Sequence, residues 1–261
     1  SLVLKMKKIA VLFFLLMLCC PAALAVQRTA DAAGQKPHDM LGLGVLASDS
    51  VYKGVDRDVW PVPLVFVRKG KFAIKSVKAE YIFLEDKSRA ADFFIMPRFM
   101  GYDSEDSSDL DGMKDRKWSL DGGMEYSIIM PYFYDSKASV SITQDLLGKS
   151  NGQEARFWLK RMFDFRPFFI RPGAGIVWQS SKMADYYFGV EPSEEKAGRP
   201  SYNPGASVSY DLSADAFLFF SRNWALFSRS DFLFYDHDIK SSPIVRKGRS
   251  SSFILGIVYV F

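Results

Sequence analysis

The sequence predicts an all-β protein, a transmembrane antiparallel β-barrel of an outer membrane. Three observations predict it. The first is strict alternation. In the final twelve residues Phe253, Leu255, Ile257, Tyr259 and Phe261 occupy every second position. Residues 118–130 repeat the pattern, with Trp118, Leu120, Gly122, Met124, Tyr126, Ile128 and Met130 opposite Ser119, Asp121, Gly123, Glu125 and Ser127. Residues 205–221 set Val208, Tyr210, Leu212, Leu218 and Phe220 opposite Ser207, Ser209, Asp211, Ser213 and Asp215. A period of two puts each set on one face of a strand. The second observation is an export signal. The third is the pairing of a cysteine-free body with a terminal aromatic, Phe261. Alternation alone fits equally a soluble sandwich or lipocalin-like barrel with its apolar face turned inward. The signal and Phe261 select the membrane version, in which that face meets lipid.

The signal occupies residues 1–25. Met6-Lys7-Lys8 is a basic start, so Met6 reads as the true beginning; residues 9–18 are apolar, and Ala23-Leu24-Ala25 is a small-residue cleavage site. The apolar run is too short for a lasting membrane helix, and no second run of eighteen apolar residues exists. Cys19 and Cys20 both leave with the signal, and Leu18 before Cys19 is too large for lipid attachment. The remaining chain therefore has no thiol or disulfide chemistry. Removing Lys5, Lys7 and Lys8 takes Lys+Arg from 34 to 31 against 30 Asp+Glu, a net charge of +1. That balance excludes nucleic acid as a partner.

Residues 26–39 are small, polar and aperiodic, and read as a flexible periplasmic tail. The barrel is expected over residues 40–261. Residues 41–48 alternate around glycines and make the first strand. Residues 61–68 are apolar on both faces, and Pro61 and Pro63 are expected to mark that strand's start, since proline breaks a central ladder. Lys69-Gly70-Lys71 is a tight turn. Residues 72–85 change phase at Val77 and split into two short strands. Residues 92–102 form the next strand, and residues 103–116 an acidic loop. The strand of residues 118–130 turns at Pro131-Tyr132 into one around residues 138–143. Asn151-Gly152 lies in a hairpin loop. Residues 155–165 and 168–179 pair through a turn at Arg166-Pro167. Residues 180–203 are the longest loop. The strands of residues 205–221, 224–235 and 250–261 complete the chain. Counting back from a last strand that ends in the periplasm puts the long loops outside and the short turns inside. The parity closes at twelve strands if residues 72–85 are two, with ten as the alternative.

No catalytic, cofactor-binding or metal-ligating residue is assigned, and the chain reads as non-enzymatic. A hydrolase needs a nucleophile beside a base. The two histidines are His38, in the tail, and His237, between Asp236 and Asp238 near Ser241 and Ser242. His237 reads as a loop histidine among solvated charges. The acidic loop (Asp103, Glu105, Asp106, Asp109, Asp111 and Asp115) lacks the ligand order of a calcium loop and reads as solvated. Weak divalent bridging to lipopolysaccharide is physically reasonable there. Inward positions carry both signs: Arg98, Asp121, Glu125, Arg156, Lys160, Arg171, Asp211, Asp215, Arg229 and Asp231. In a barrel of this size they are expected to pair across a mostly filled lumen. Tyr186, Tyr187 and Phe188 read as part of an aromatic girdle.

Several segments together resemble the MipA/OmpV family (MltA-interacting protein) of Gram-negative outer-membrane proteins. They are Tyr52-Lys53-Gly54 with Pro61-Val62-Pro63, the stretch from Leu110 to Arg116, Pro172-Gly173-Ala174-Gly175, and Tyr186-Tyr187-Phe188-Gly189-Val190 with Tyr202-Asn203-Pro204. Ser242-Pro243-Ile244-Val245 and Tyr259-Val260-Phe261 complete the set. The resemblance implies an outer-membrane barrel without catalytic residues. It implies a structural or scaffolding role that links peptidoglycan-remodelling enzymes, a murein hydrolase and a synthase. A small outer-membrane channel or a surface adhesin is the alternative. Lipid, lipopolysaccharide and, through Phe261, the barrel assembly machinery are the other expected partners.

Overall fold

A computed structural model describes residues 39–133 and 136–261. The signal, His38 and all but the last residue of the expected tail lie outside the described residues. The strands are β1 (Met40–Ser48), β2 (Asp58–Lys69), β3 (Phe72–Lys75), β4 (Lys78–Glu85), β5 (Arg89–Arg98), β6 (Ser119–Met130) and β7 (Ser136–Asp145). They continue as β8 (Gln153–Lys160), β9 (Phe163–Phe165), β10 (Phe168–Gln179), β11 (Ser207–Phe219), β12 (Trp224–Phe234) and β13 (Arg249–Val260). Each pairs antiparallel with its neighbour, β13 returns to β1, and β10 joins β11, so the sheet closes. β8 and β9 both pair with β10 and form one interrupted strand. The result is a closed barrel of twelve strands.

Burial decides which way the alternation faces. On β11, Ser207, Ser209, Asp211, Ser213 and Asp215 are buried while Val208, Tyr210, Leu212 and Leu218 are exposed. β6 repeats this, with Ser119, Asp121 and Ser127 buried and Met124 and Tyr126 exposed. Polar residues inside and apolar residues outside is the arrangement of a barrel dissolved in hydrocarbon. Strands of about 9–11 residues suffice to cross it when tilted. At the end carrying the short turns, Trp224, Tyr259 and Phe261 stack edge to face at 5.1 and 5.0 Å, as interfacial aromatics do.

Residues 72–85 do form two short strands, turning at Ser76, whose φ is +58°. The long loops, residues 49–57, 99–118, 180–206 and 235–248, share one end of the barrel. The turns at residues 70–71, 86–88, 166–167 and 220–223 share the other, with Asp39 and Phe261. Asp39 caps that end: its carboxylate accepts from the Arg68 N–H at 2.9 Å and its carbonyl from the Phe261 N–H at 3.0 Å.

Pro61 and Pro63 correct the expected boundary. They sit within β2, which starts three residues before Pro61. They are tolerated because β3 is only four residues long and pairs with Phe66 to Lys69 alone. Above Phe66 that side of β2 is an edge, where a missing N–H breaks no ladder.

Candidate functional site: a loop cap over a charged lumen

The loops do not stand separately in solvent. They fold together into an apolar cluster of Tyr52, Tyr102, Leu110, Met113, Met183, Tyr187, Phe188, Val190, Tyr235, Ile239 and Ile244, all buried. Two short helices serve it, α1 (Ser181–Phe188) and α2 (His237–Lys240). α1 buries Met183, Ala184, Tyr187 and Phe188, a stripe spaced three and four apart. Tyr187 and Phe188 are therefore the core of a cap, not the girdle expected of them. Tyr186 accepts the Lys117 N–H at 2.9 Å. Phe188 meets Tyr235 edge to face at 5.2 Å.

Backbone bonds tie the loops to one another. Lys53 donates to the Ile244 carbonyl at 2.9 Å and Arg246 to that of Val51 at 2.8 Å. The Ser242 hydroxyl donates to the Phe188 carbonyl at 2.6 Å. Gly54 has φ +69°, and a Cβ there would lie 1.9 Å from the Ser107 hydroxyl, so only glycine lets these two loops close up.

A buried ion pair locks the acidic loop down. Arg116 reaches Glu194 at 2.8 Å, and the same carboxylate accepts from the Lys114 N–H at 2.7 Å. Arg199 donates to the carbonyls of Asp109 and Asp111 at 2.9 and 3.0 Å. Burial pushes the Glu194 carboxyl up, but the N–H groups of Lys114 and Glu191 and the Arg116 guanidinium outweigh it and hold the pKa low. The loop is thus partly buried rather than wholly solvated. Its carboxylates serve structure: Asp106 accepts the Asp103 N–H at 2.9 Å, and Lys117 bridges Asp103 and Asp115 at 2.8 and 2.6 Å. That lysine and the Ser104 N–H lower the Asp115 carboxyl to about 2. Among the described residues no three acidic, histidine or cysteine side chains converge as a metal site.

His237 is exposed on α2, with the Ser241 hydroxyl 3.4 Å from Nε2. Asp236 is committed elsewhere, to the N–H groups of Ile239 and Val208, both at 3.0 Å. Ser242 is buried and donates to Phe188. His237 is thus an exposed loop-helix histidine whose preceding aspartate is bound to backbone N–H groups.

Beneath the cap ion pairs lace the inner wall of the lumen, most of them between the same or neighbouring strands. Arg98 pairs with Asp121 and, at 2.9 Å, with Glu154. Glu154 also receives Arg156 at 2.5 Å and Gln179 at 3.1 Å, and Arg156 lies 3.7 Å from Asp211. Lower down, Arg171 and Arg229 converge on Asp215 at 2.8 and 3.4 Å, and Arg229 holds Asp231 at 2.7 Å. Lys78 joins Glu80 and Glu125, both at 3.0 Å, and Lys160 lies over the Trp158 ring at 4.5 Å. All ten expected inward charges face the lumen and nine form ion pairs; Lys160 finds a ring. Near the short-turn end the filling turns apolar. Leu64 is fully buried and occupies the space that side chains at Gly44 and Gly256 would need.

The outward apolar wall, polar lumen and short-turn/long-loop asymmetry define an integral β-barrel of the outer membrane. Residues 41–261 match the family described as "MltA-interacting protein MipA", and the chain belongs to that family. The MltA-interacting protein of Escherichia coli (strain K12) is 27% identical over 240 residues, covering 90% of this chain and 95% of that protein. Outer membrane protein OmpV of Vibrio cholerae is 30% identical over 146 residues, 56% of each chain. Among solved structures, the NanC porin aligns with a TM-score of 0.43 at 10% identity, over 84% of this chain and all of that one. Most of the segments that carry the family resemblance in sequence meet in the cap: Tyr52, Leu110, Arg116, Tyr187, Phe188, Val190 and Ile244 all lie within it or lock it.

Proposed function

We propose that this protein is a non-enzymatic scaffold of the outer membrane, a barrel that anchors a peptidoglycan-remodelling enzyme at its short-turn end. The observation that carries this reading is the cap, which buries an apolar cluster over one mouth of the barrel. Directly beneath it Arg98 and Glu154 are themselves buried and paired. A barrel capped in this way is a platform, and its work is done on its surfaces. The kind of partner follows from the relative named for interaction with MltA, which aligns over 95% of its own length.

The test is a pull-down from solubilised cell envelope, using the chain from residue 26. A murein hydrolase or synthase is expected among the captured proteins. A chain lacking residues 26–38, and a Tyr132→Ala variant, locate the contact; Tyr132 is fully exposed beside Pro131 at the short-turn end. Recovery of no murein enzyme with any of the three would remove the scaffold reading.

A further inference from the structure

The barrel wall is incomplete on one side. The β3–β4 hairpin turns back at Ser76 and Val77, level with Val65 of β2, where the Ser76 N–H donates to the Val65 carbonyl at 2.6 Å. β4 reaches only Ile95 of β5. Above the hairpin, from Asp58 to Val65, no described strand pairs with that side of β2. The end of β5 is likewise bare on its β4 side. The notch lies in the half of the barrel nearer the loops, within the apolar band: Val45, Val59 and Ile95 beside it are all about half exposed.

The lips of this notch carry three prolines, all oriented alike. On β2 the Val65 carbonyl faces β3, whereas the Arg68 N–H faces Asp39 beside β1. Backbone groups alternate sides along a strand, so odd-numbered residues of β2 face the notch. Those include Pro61 and Pro63. On β5 the Ser88 carbonyl accepts from Ile129 next to β6, and the Arg89 carbonyl from Asp86 next to β4. Odd residues of β5 therefore face β4 and the notch, and Pro97 is one. Each proline presents a carbonyl and no N–H. Such edges refuse an added strand, so neither a partner's strand nor a second copy of this chain fits.

The carbonyls still need donors. Backbone acceptors left bare in hydrocarbon are strongly unfavourable. At the notch Trp60 and Phe99 meet edge to face at 5.7 Å, and they line, with Leu46, Trp118 and the polar Ser48 and Asp58, a cavity of about 80 Å³. The Trp60 Nε1 is buried there without a partner. The occupant must combine an apolar chain with hydrogen-bond donors for these carbonyls and an acceptor for the Trp60 N–H. Phospholipid esters bring acceptors only. The acylated sugar of lipopolysaccharide brings hydroxyl and amide N–H groups at that depth, and it forms the leaflet on the loop side. We propose that the notch between β2 and β5 is a lateral binding site for the lipid portion of lipopolysaccharide. Its hydroxyl and amide groups donate to the Pro61 and Pro63 carbonyls, and an acyl chain lies against Trp60.

The folded barrel is placed in vesicles of phosphatidylcholine with brominated acyl chains, which quench tryptophan on contact. The native protein is compared with its Trp60→Phe, Trp158→Phe and Trp178→Phe variants, so that differences isolate each residue's emission. Trp178 faces lipid, and Trp158 lies inside with Lys160. Bulk acyl chains reach the open notch without satisfying its carbonyls, so Trp60, although it points inward, is expected to be quenched more strongly than Trp158. Added lipopolysaccharide is expected to restore Trp60 emission by a larger fraction than that of Trp178. Quenching of Trp60 no stronger than that of Trp158 means a sealed or water-filled notch and overturns the proposal. Strong quenching that lipopolysaccharide relieves equally at both residues means that any acyl chain enters, and overturns the assignment to lipopolysaccharide.

Discussion

Arg98→Ala is expected to destabilise the barrel by about 3–5 kcal/mol, the range for removing one partner from a buried ion pair. Arg98 is 8% exposed, and it holds two carboxylates, Asp121 and Glu154, that are themselves 1% and 3% exposed. Without the guanidinium these carboxylates face one another at low dielectric with one fewer counter-charge. Glu154 retains Arg156 and Gln179, but Asp121 loses its ion-pair partner. Urea unfolding of the vesicle-folded barrel, followed by tryptophan fluorescence, reads the loss. The double variant Arg98→Met with Asp121→Asn is expected to recover most of it, because the orphaned charge is removed with its partner. If the double variant is as unstable as Arg98→Ala, the damage lies in packing rather than charge.

Phe188→Ala is expected to loosen the cap while leaving the barrel intact. Its ring is fully buried, with Tyr235 and Tyr52 at 5.2 and 6.2 Å. A buried Phe→Ala change costs about 3–5 kcal/mol. The cap rests on this one cluster and a few inter-loop bonds, so that loss falls mostly on the loops. Protease added outside the vesicles should then cleave within residues 180–206 or 235–248, at sites resistant in the native protein. The urea transition of the barrel should stay close to native. A large fall in that transition would mean that cap and barrel unfold together.

The barrel was legible because lipid and lumen impose alternation on every strand. The split of residues 72–85 showed as a phase change at Val77, and the inward charges followed from parity alone. What alternation does not carry is direction. Phe253 and Leu255 are the same letters whether they face lipid or a dry core, and burial of Asp211 and Asp215 decided it. The cap was illegible for a different reason. Tyr52, Leu110, Phe188 and Ile244 are far apart in sequence and lie in segments with no sustained period, so no local pattern announces their meeting. The stripe Met183, Ala184, Tyr187 and Phe188 was the available signal, hidden in what read as the longest loop. Glu154, hub of the upper lumen, sat just before the expected start of its strand at Ala155. Pro61 and Pro63 signal a missing ladder, but the sequence does not show which strand is cut short: β2 runs on past them and its neighbour β3 stops at four residues.

The proposed scaffold role requires that the cap and the buried Arg98–Glu154 pair close the upper lumen to ions. Single-channel recording of the native barrel in planar bilayers tests it most directly. The structure predicts a quiet baseline, without discrete steps, under voltages at which open porins conduct. Reproducible unitary steps from the native chain would contradict it, since ions would then be passing a lumen that Arg98, Glu154 and the cap above them are said to close.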